Sequence, residues 1–65
     1  MSEGDLKKLK HVRRRKIGDD TAKEIEIEEK VDPKTEKSYQ IDWERKRYRE
    51  ADDGGNYGPW TPIKP

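Results

Sequence analysis

The chain from Lys23 to Val31 reads Lys-Glu-Ile-Glu-Ile-Glu-Glu-Lys-Val. Its aliphatic residues occupy odd-numbered positions: Ile25, Ile27 and Val31. Most of its glutamates occupy even-numbered positions: Glu24, Glu26 and Glu28. Alternation with a period of two residues is typical of a half-buried β-strand. The sequence therefore predicts a strand here, with one apolar face and one acidic, solvated face.

The segment before this strand is strongly basic. It combines seven Lys or Arg residues with one histidine and no acid: Lys7, Lys8, Lys10, His11, Arg13, Arg14, Arg15 and Lys16. Apolar residues recur every third position across residues 6–12, which fits a short helix, whereas residues 11–17 alternate like a strand. Because residues 18–21 have turn composition, a hairpin of residues 10–17 with the acidic strand is the more economical interpretation.

A second hairpin is predicted after the acidic strand. Asp32-Pro33 favours a turn, since proline fixes φ and moves its predecessor out of the helical region. Residues 38–43 then alternate again, with Tyr39, Ile41 and Trp43 on one face. The two alternating segments joined by a polar turn predict a β-hairpin. Its register is open, because Ile27 could face either Ile41 or Trp43.

In the rest of the chain, residues 44–50 and residues 57–63 each allow two interpretations. Residues 44–50 either continue the strand, with a bulge that brings Trp43 and Tyr48 to one face, or belong to a short helix over 43–51. Asp52 to Asn56 has strong turn composition. The proline-containing segment 57–63 can form only an edge strand or an extended polyproline-like tail.

Composition limits the class of fold. Charged residues make up 48% of the 65 residues and AVILMFWYC residues only 26%, so any hydrophobic core is small and marginal. Since 16 basic residues are balanced by 15 acidic ones, compaction can pair them, and the sequence favours a folded core over a chain disordered until it meets a partner. We predict a mainly β protein, a small antiparallel meander of three to four strands in a single domain over 1–65, with residues 1–5 and 62–65 disordered.

No two residues of the apolar set are adjacent. A membrane-spanning helix and a signal-peptide core both need long apolar runs, so a cytoplasmic protein without membrane contact is expected. The same pattern argues against strands buried on both faces, which are usually continuous apolar runs.

The charges fall into blocks. A basic block at 7–17, an acidic block at 19–32 and a basic block at 45–49 follow one another. In a meander, the acidic strand would lie about 4.8 Å from each basic segment, and facing opposite charges stabilise a sheet by about 0.2–1 kcal/mol per pair. Charge is therefore predicted to select strand order, and salt to weaken the fold.

Two surfaces are candidates for function. Nucleic-acid contact is predicted for the basic run and for arginines interleaved with aromatics, which suit phosphates and stacked bases: Lys7, Lys8, Lys10, Arg13, Arg14, Arg15, Lys16, Arg45, Arg47 and Arg49. Tyr57, Trp60 and Ile63 could dock an extended segment on a protein partner. For each surface the sequence favours the alternative: the cations pair with glutamates of the same chain, and Trp60 packs on its own sheet.

No catalytic, metal or cofactor signature is present, and an enzyme is not expected. His11 has no second histidine or cysteine to join it, and neither Asp19-Asp20 nor Asp52-Asp53 matches a calcium loop. The predicted function is a small non-enzymatic binding or accessory protein, acting on a protein partner or by self-association. Nucleic-acid binding is the alternative.

Overall fold

Five antiparallel strands form one open sheet, in the order in which they occur along the chain. The computed structural model describes residues 1–19 and 21–65. Its elements are α1 (Glu3–Lys7), β1 (Lys10–Gly18), β2 (Glu24–Val31), β3 (Ser38–Asp42), β4 (Arg47–Glu50) and β5 (Thr61–Pro62). The predicted mainly β meander is confirmed. Five strands are present where three to four were expected, because the short β5 pairs with β4.

Aspartates begin the connecting turns. The carboxylate of Asp19, of Asp32 and of Asp52 each accepts a backbone N–H from the residue two positions ahead, at 2.9 Å in all three cases. This Asx-turn geometry is the reason that aspartate is favoured at turns. The turns predicted at 32–37 and 52–56 are present. Of the turn predicted at 18–21, Asp20 lies outside the described residues.

The register of the β2–β3 hairpin corrects both predicted alternatives. Ile41 lies opposite Glu28, not Ile27, and Gln40 lies opposite Glu29. Directly opposed residues share a face of an antiparallel sheet. Ile27 and Ile41 therefore lie on opposite faces, and the structure buries each face under a different part of the chain.

The first face is covered by helix α1, and we call it the helix-covered face. It carries side chains from three strands: Glu28, Lys30, Tyr39, Ile41 and Tyr48. Leu6 of α1 is fully buried, and the helix begins with a capping box between Ser2 and Asp5. The ammonium of Lys30 donates to the carbonyl oxygen of Leu6 at 2.8 Å and to that of Lys7 at 3.2 Å. The helix is held by its last carbonyls, which have no partner within the helix.

The short helix considered for 6–12 or 43–51 lies instead at Glu3–Lys7. Residues 10–12 belong to β1, so the helical spacing of residues 6–12 is not realised. After Asp42 the chain forms a turn, in which Lys46 has φ 51°, and β4 begins at Arg47. This turn places Tyr48 opposite Ile41 without a bulge.

The opposite face is covered by the C-terminal segment 57–63, and we call it the tail-covered face. It carries Ile25, Ile27, Gln40, Asp42 and Arg49. The ring of Trp60 lies over this face, against two arginines of β4. Ile25 and Ile27 are 3% and 1% exposed, so the aliphatic side of the acidic strand is buried as predicted.

β3 is buried on both faces, contrary to the expectation from its alternating sequence. Tyr39 and Ile41 are 5% and 0% exposed, and the intervening Gln40 and Asp42 are 2% and 0% exposed. The polar side chains are tolerated because each has hydrogen-bond partners, which removes most of the cost of burying them. Alternation therefore predicted the strand but not its two-sided burial.

The chain ends meet on the sheet. Ser2 forms a parallel bridge with Lys64, Glu3 N donates to Lys64 O at 3.1 Å, and Ile63 N donates to Lys46 O at 2.9 Å. Residues 1–5 and 62–65, predicted to be disordered, thus contribute to α1, to β5 and to this bridge. Within the described residues, no helix is long and apolar enough to cross a membrane.

Candidate functional site: the basic edge strand

Among residues 1–19 and 21–65, β1 lies at one edge of the sheet and pairs on one side only, with β2. Along residues 10–18 all side chains are exposed except Ile17, which is half-buried opposite Ile25. An edge strand presents unpaired backbone N–H and C=O groups along its outer side. β1 therefore combines an open backbone edge with dense positive charge, and we call it the basic edge strand.

Its cations project to both sides of the sheet. On the helix-covered face, Arg14 lies 3.4 Å from a carboxylate oxygen of Glu26, and Lys16 lies 3.8 Å from one of Glu24. These four side chains are between 59% and 68% exposed. Solvent screens such pairs strongly, so each contributes at most about 1 kcal/mol.

On the tail-covered face, the cations converge on a single buried glutamate. Arg13 and Arg15 lie 3.0 Å and 3.2 Å from the two carboxylate oxygens of Glu29. Gln40 donates its side-chain N–H to Glu29 at 3.0 Å, and Gln40 accepts from Arg49 at 2.8 Å. Arg13, Glu29, Gln40 and Arg49 are directly opposed across four strands, so a continuous polar row crosses the sheet.

The second group of predicted nucleic-acid contacts is occupied within the chain. Arg47 lies 3.1 Å from Asp42, and its guanidinium carbon lies 4.4 Å from the ring centre of Trp60. Arg49 bonds Gln40 and lies 4.5 Å from the same ring. Arg45 lies 3.4 Å from Asp42 and is the most exposed of the three. Stacking and pairing leave little of Arg47 and Arg49 for a phosphate.

The structure therefore separates the ten predicted cations into two groups. One forms a contiguous exposed strip from the end of α1 along β1: Lys7, Lys8, Lys10, Arg13, Arg14, Arg15 and Lys16. Arg45, Arg47 and Arg49 lie across the sheet, at and after the β3–β4 turn. The acidic strand is predicted to lie between both basic segments, and this is wrong for the second one. β2 pairs with β1, but β3 separates β2 from β4.

The predicted partner-contact residues fold back on their own sheet. Trp60 and Tyr57 both cover Arg49, with ring centres 4.5 Å and 5.3 Å from its guanidinium carbon. All three residues, Tyr57, Trp60 and Ile63, are half-buried. Burial raises the pKa of the Tyr57 hydroxyl, and the nearby carboxylate of Glu29 raises it further. A cleft of about 570 Å³ lies beside this segment, lined by Tyr48, Tyr57, Pro59 and residues 50–53.

One group at the edge of the site was missed from the sequence. The carboxylate of Glu28 accepts the indole N–H of Trp43 at 2.8 Å and contacts the ring Nδ1 of His11 at 2.5 Å. Burial raises the pKa of Glu28, but the hydrogen bonds from Trp43 and His11, with the charges of Lys30 and Arg14, outweigh it and lower the pKa below 4.5. These contacts join residues 15 and 17 positions apart, so no local sequence pattern reports them.

No His, Cys, Asp or Glu cluster suited to a metal ion occurs among residues 1–19 and 21–65. Comparisons with protein-family models, with curated proteins and with solved structures find no match to this chain.

Proposed function

We propose that this chain is a small, non-enzymatic protein-interaction module that binds its partner through the basic edge strand. The observation that carries the proposal is the open outer edge of β1, nine residues long and exposed almost throughout. Backbone groups on such an edge give affinity without a deep pocket, because an extended partner segment can pair with them.

The other edge of the sheet is poorly suited to the same role. β5 consists of Thr61 and Pro62 only, and proline has no N–H to donate to a further strand. The C-terminal segment is also anchored by Trp60 over Arg47 and Arg49. The two ends of the sheet therefore differ, and β1 is the better surface for a partner.

Nucleic-acid binding is the second candidate, and one observation favours it. Among the described residues, no carboxylate lies within 4.0 Å of Lys7, Lys8 or Lys10, so these charges are available to phosphates. Against it, the cations of β1 alternate between the two faces of the sheet, whereas a phosphate backbone follows one continuous surface. The net charge of only +1 is also weak for a nucleic-acid domain.

A photo-crosslinking experiment tests the proposal. A benzophenone amino acid replaces Val12, which is 48% exposed on β1, in cells that produce the full chain. The matched control places the same group at Asp53, an exposed turn residue outside β1. We expect protease-sensitive, nuclease-resistant adducts at position 12 and not at 53.

The proposed adducts should also weaken when Lys10 and Lys16 are both replaced by glutamine, since these side chains flank the crosslinking position on β1. Adducts equal at both positions would contradict the proposal. Nuclease-sensitive adducts at position 12 would support nucleic-acid binding in its place. A titration with short DNA and RNA at low and high salt would then confirm that alternative.

A further inference from the structure

β2 shows which kind of strand β1 accepts. Arg13, Arg14 and Lys16 lie opposite glutamates, and Ile17 lies opposite an isoleucine. Arg15 lies opposite Ile27 but reaches the carboxylate of Glu29 diagonally, at 3.2 Å. The pairing with β2 occupies only the inner side of β1. Facing ion pairs and a matched apolar pair each favour that register. An outer strand that places carboxylates beside these cations and an apolar side chain beside Ile17 would make the same kinds of contact.

The cations of β1 retain capacity for a second set of carboxylates. The side chains of Arg13, Arg14 and Arg15 are between 49% and 63% exposed although each already contacts a glutamate. A guanidinium has five N–H donors, and one carboxylate uses at most two of them. An additional acidic strand therefore need not displace the glutamates of β2.

A second copy of this chain does not supply such a strand. Its acidic strand β2 is paired on both sides, with β1 and β3, and a second β1 would bring five further Lys and Arg side chains against the first. Like charges directly opposite destabilise a sheet. The cations that prevent self-pairing thus select for a partner of opposite charge.

The usable length of the edge is set by a bulge. The pairing of β1 with β2 shifts between His11 and Arg13, at Val12, and a bulge interrupts the regular ladder. The regular part runs from Arg13 to Gly18. Six residues at about 3.3 Å each give an edge of about 20 Å.

We propose that the edge from Arg13 to Gly18 receives an extended acidic peptide segment of a partner protein as an additional antiparallel strand. Its acidic side chains lie opposite Arg13, Arg14, Arg15 and Lys16, and an apolar side chain lies opposite Ile17. Because side chains of a strand alternate between faces, as the cations of β1 do, a peptide meets both sets where a single phosphate backbone meets one. This inference rests on the proposed function and specifies its partner.

The test uses a synthetic probe, acetyl-Thr-Val-Glu-Glu-Glu-Glu-Thr-amide, in which valine would face Ile17 and the glutamates the cations. Two control peptides have the same side chains as the probe. In one of them every second backbone nitrogen is methylated, and in the other the remaining backbone nitrogens are methylated. Amide exchange and chemical shifts of the isotope-labelled full chain report where the probe binds. We expect new protection on alternate amides of residues 13–18, and loss of binding with one phase of methylation.

Protein variants give the second readout. Replacing Lys16, a proposed contact, by glutamine leaves an exposed position exposed, and replacing Lys34 by glutamine is the matched control with the same charge change. For Lys16→Gln we expect affinity for the probe to fall about twofold to fivefold relative to the control, the effect of one lost ion pair.

Three results would overturn the inference. The first is equal binding of both methylated peptides, which indicates charge attraction without strand pairing. The other two are tighter binding of a short oligonucleotide than of the probe, and no binding of the probe at low salt. A failure of the probe accompanied by protein adducts at position 12 would reject strand addition while the proposed protein-interaction function stands.

Discussion

The ammonium of Lys30, near the end of β2, donates to the backbone carbonyl of Leu6 at 2.8 Å. Lys30 is only 6% exposed, and its second acceptor is the carbonyl of Lys7. The charge of a β2 residue thus meets the negative end of α1, where carbonyl groups have no helical partners. The contact links α1 to the helix-covered face.

Replacing Lys30 by methionine should release α1. The aliphatic stem is retained, but two charge-assisted hydrogen bonds are lost, so we expect the free energy of unfolding to fall by about 2 kcal/mol. The amide of Leu9, which donates to Leu6 O at 3.2 Å, should exchange faster. Lys8→Met, at an exposed position, is the control. Equal urea midpoints for the two variants would show that Lys30 does not hold the helix.

Trp60→Ala should destabilise the tail-covered face. The ring lies 4.4 Å from Arg47 and 4.5 Å from Arg49, so its removal costs two cation–π contacts and exposes the polar row. We expect a loss of about 1–3 kcal/mol, less than for a fully buried tryptophan because Trp60 is half-buried. Urea unfolding followed by the fluorescence of Trp43 measures it. Thr61→Ala, exposed in β5, should change the midpoint little; if it equals Trp60→Ala, the stacking has no special role.

A substitution of Gln40, at the centre of the polar row, should destabilise the fold. Gln40→Leu keeps the approximate volume but leaves the carboxylate of Glu29 and the guanidinium of Arg49 without their shared partner. Unsatisfied buried polar groups cost about 1–3 kcal/mol, and we expect a loss in that range by chemical denaturation. The double variant Gln40→Leu/Arg49→Leu should recover part of it. If the single variant is as stable as the parent, the row contributes no net stability.

The local parts of the fold could be predicted from the sequence. The turns at Asp32 and Asp52 follow from a carboxylate that accepts the amide two residues ahead, a property of a few adjacent residues. The strands at 24–31 and 38–42 follow from alternation. Each of these features depends only on neighbouring residues, and for that reason it can be predicted from the sequence alone.

The register and the two-sided burial could not be predicted. They depend on Leu6 and Trp60, distant in sequence, which cover opposite faces of the sheet. From the sequence alone, Gln40 is expected on the solvated face of its strand, because the segment that covers this face is distant in sequence. In the structure, Gln40 is 2% exposed. The basic run of the candidate site is visible in the sequence, but its place on an open edge depends on strand order, and the pairing of Arg47 with Asp42 and Trp60 depends on the turn and the tail.

Stability should fall at acid pH through Glu28. Its pKa is lowered in the folded chain, since hydrogen bonds from Trp43 and His11 outweigh the opposing effect of burial. The unfolded chain then binds protons more readily, so the stabilisation from ionised Glu28 is complete above the unfolded pKa, near 4.5, and is lost as pH falls through the lower folded value. Urea midpoints from pH 6 downward measure this loss.

Glu28→Gln should make that acid dependence shallower. The carboxylates of Asp5 and Asp19, whose pKa values are lowered by hydrogen bonds from Ser2 and Thr21 respectively, remain in both proteins and retain part of the slope. The difference between the two curves therefore isolates Glu28. Parallel curves for parent and variant would contradict the assignment.

Salt should weaken the attachment of the basic edge strand. Between about 10 mM and 1 M the Debye length falls from about 30 Å to about 3 Å, so exposed pairs such as Arg14 with Glu26 and Lys16 with Glu24 lose their attraction. We expect the free energy of unfolding to fall by about 1–2 kcal/mol in sodium chloride, the sum of several pairs worth about 0.2–1 kcal/mol each. The variant Arg14→Gln/Lys16→Gln lacks two of these pairs, so it should be less stable than the parent at low salt and nearly equal to it at high salt. A constant difference at all salt concentrations would instead mean that these side chains stabilise β1 by packing and not by charge.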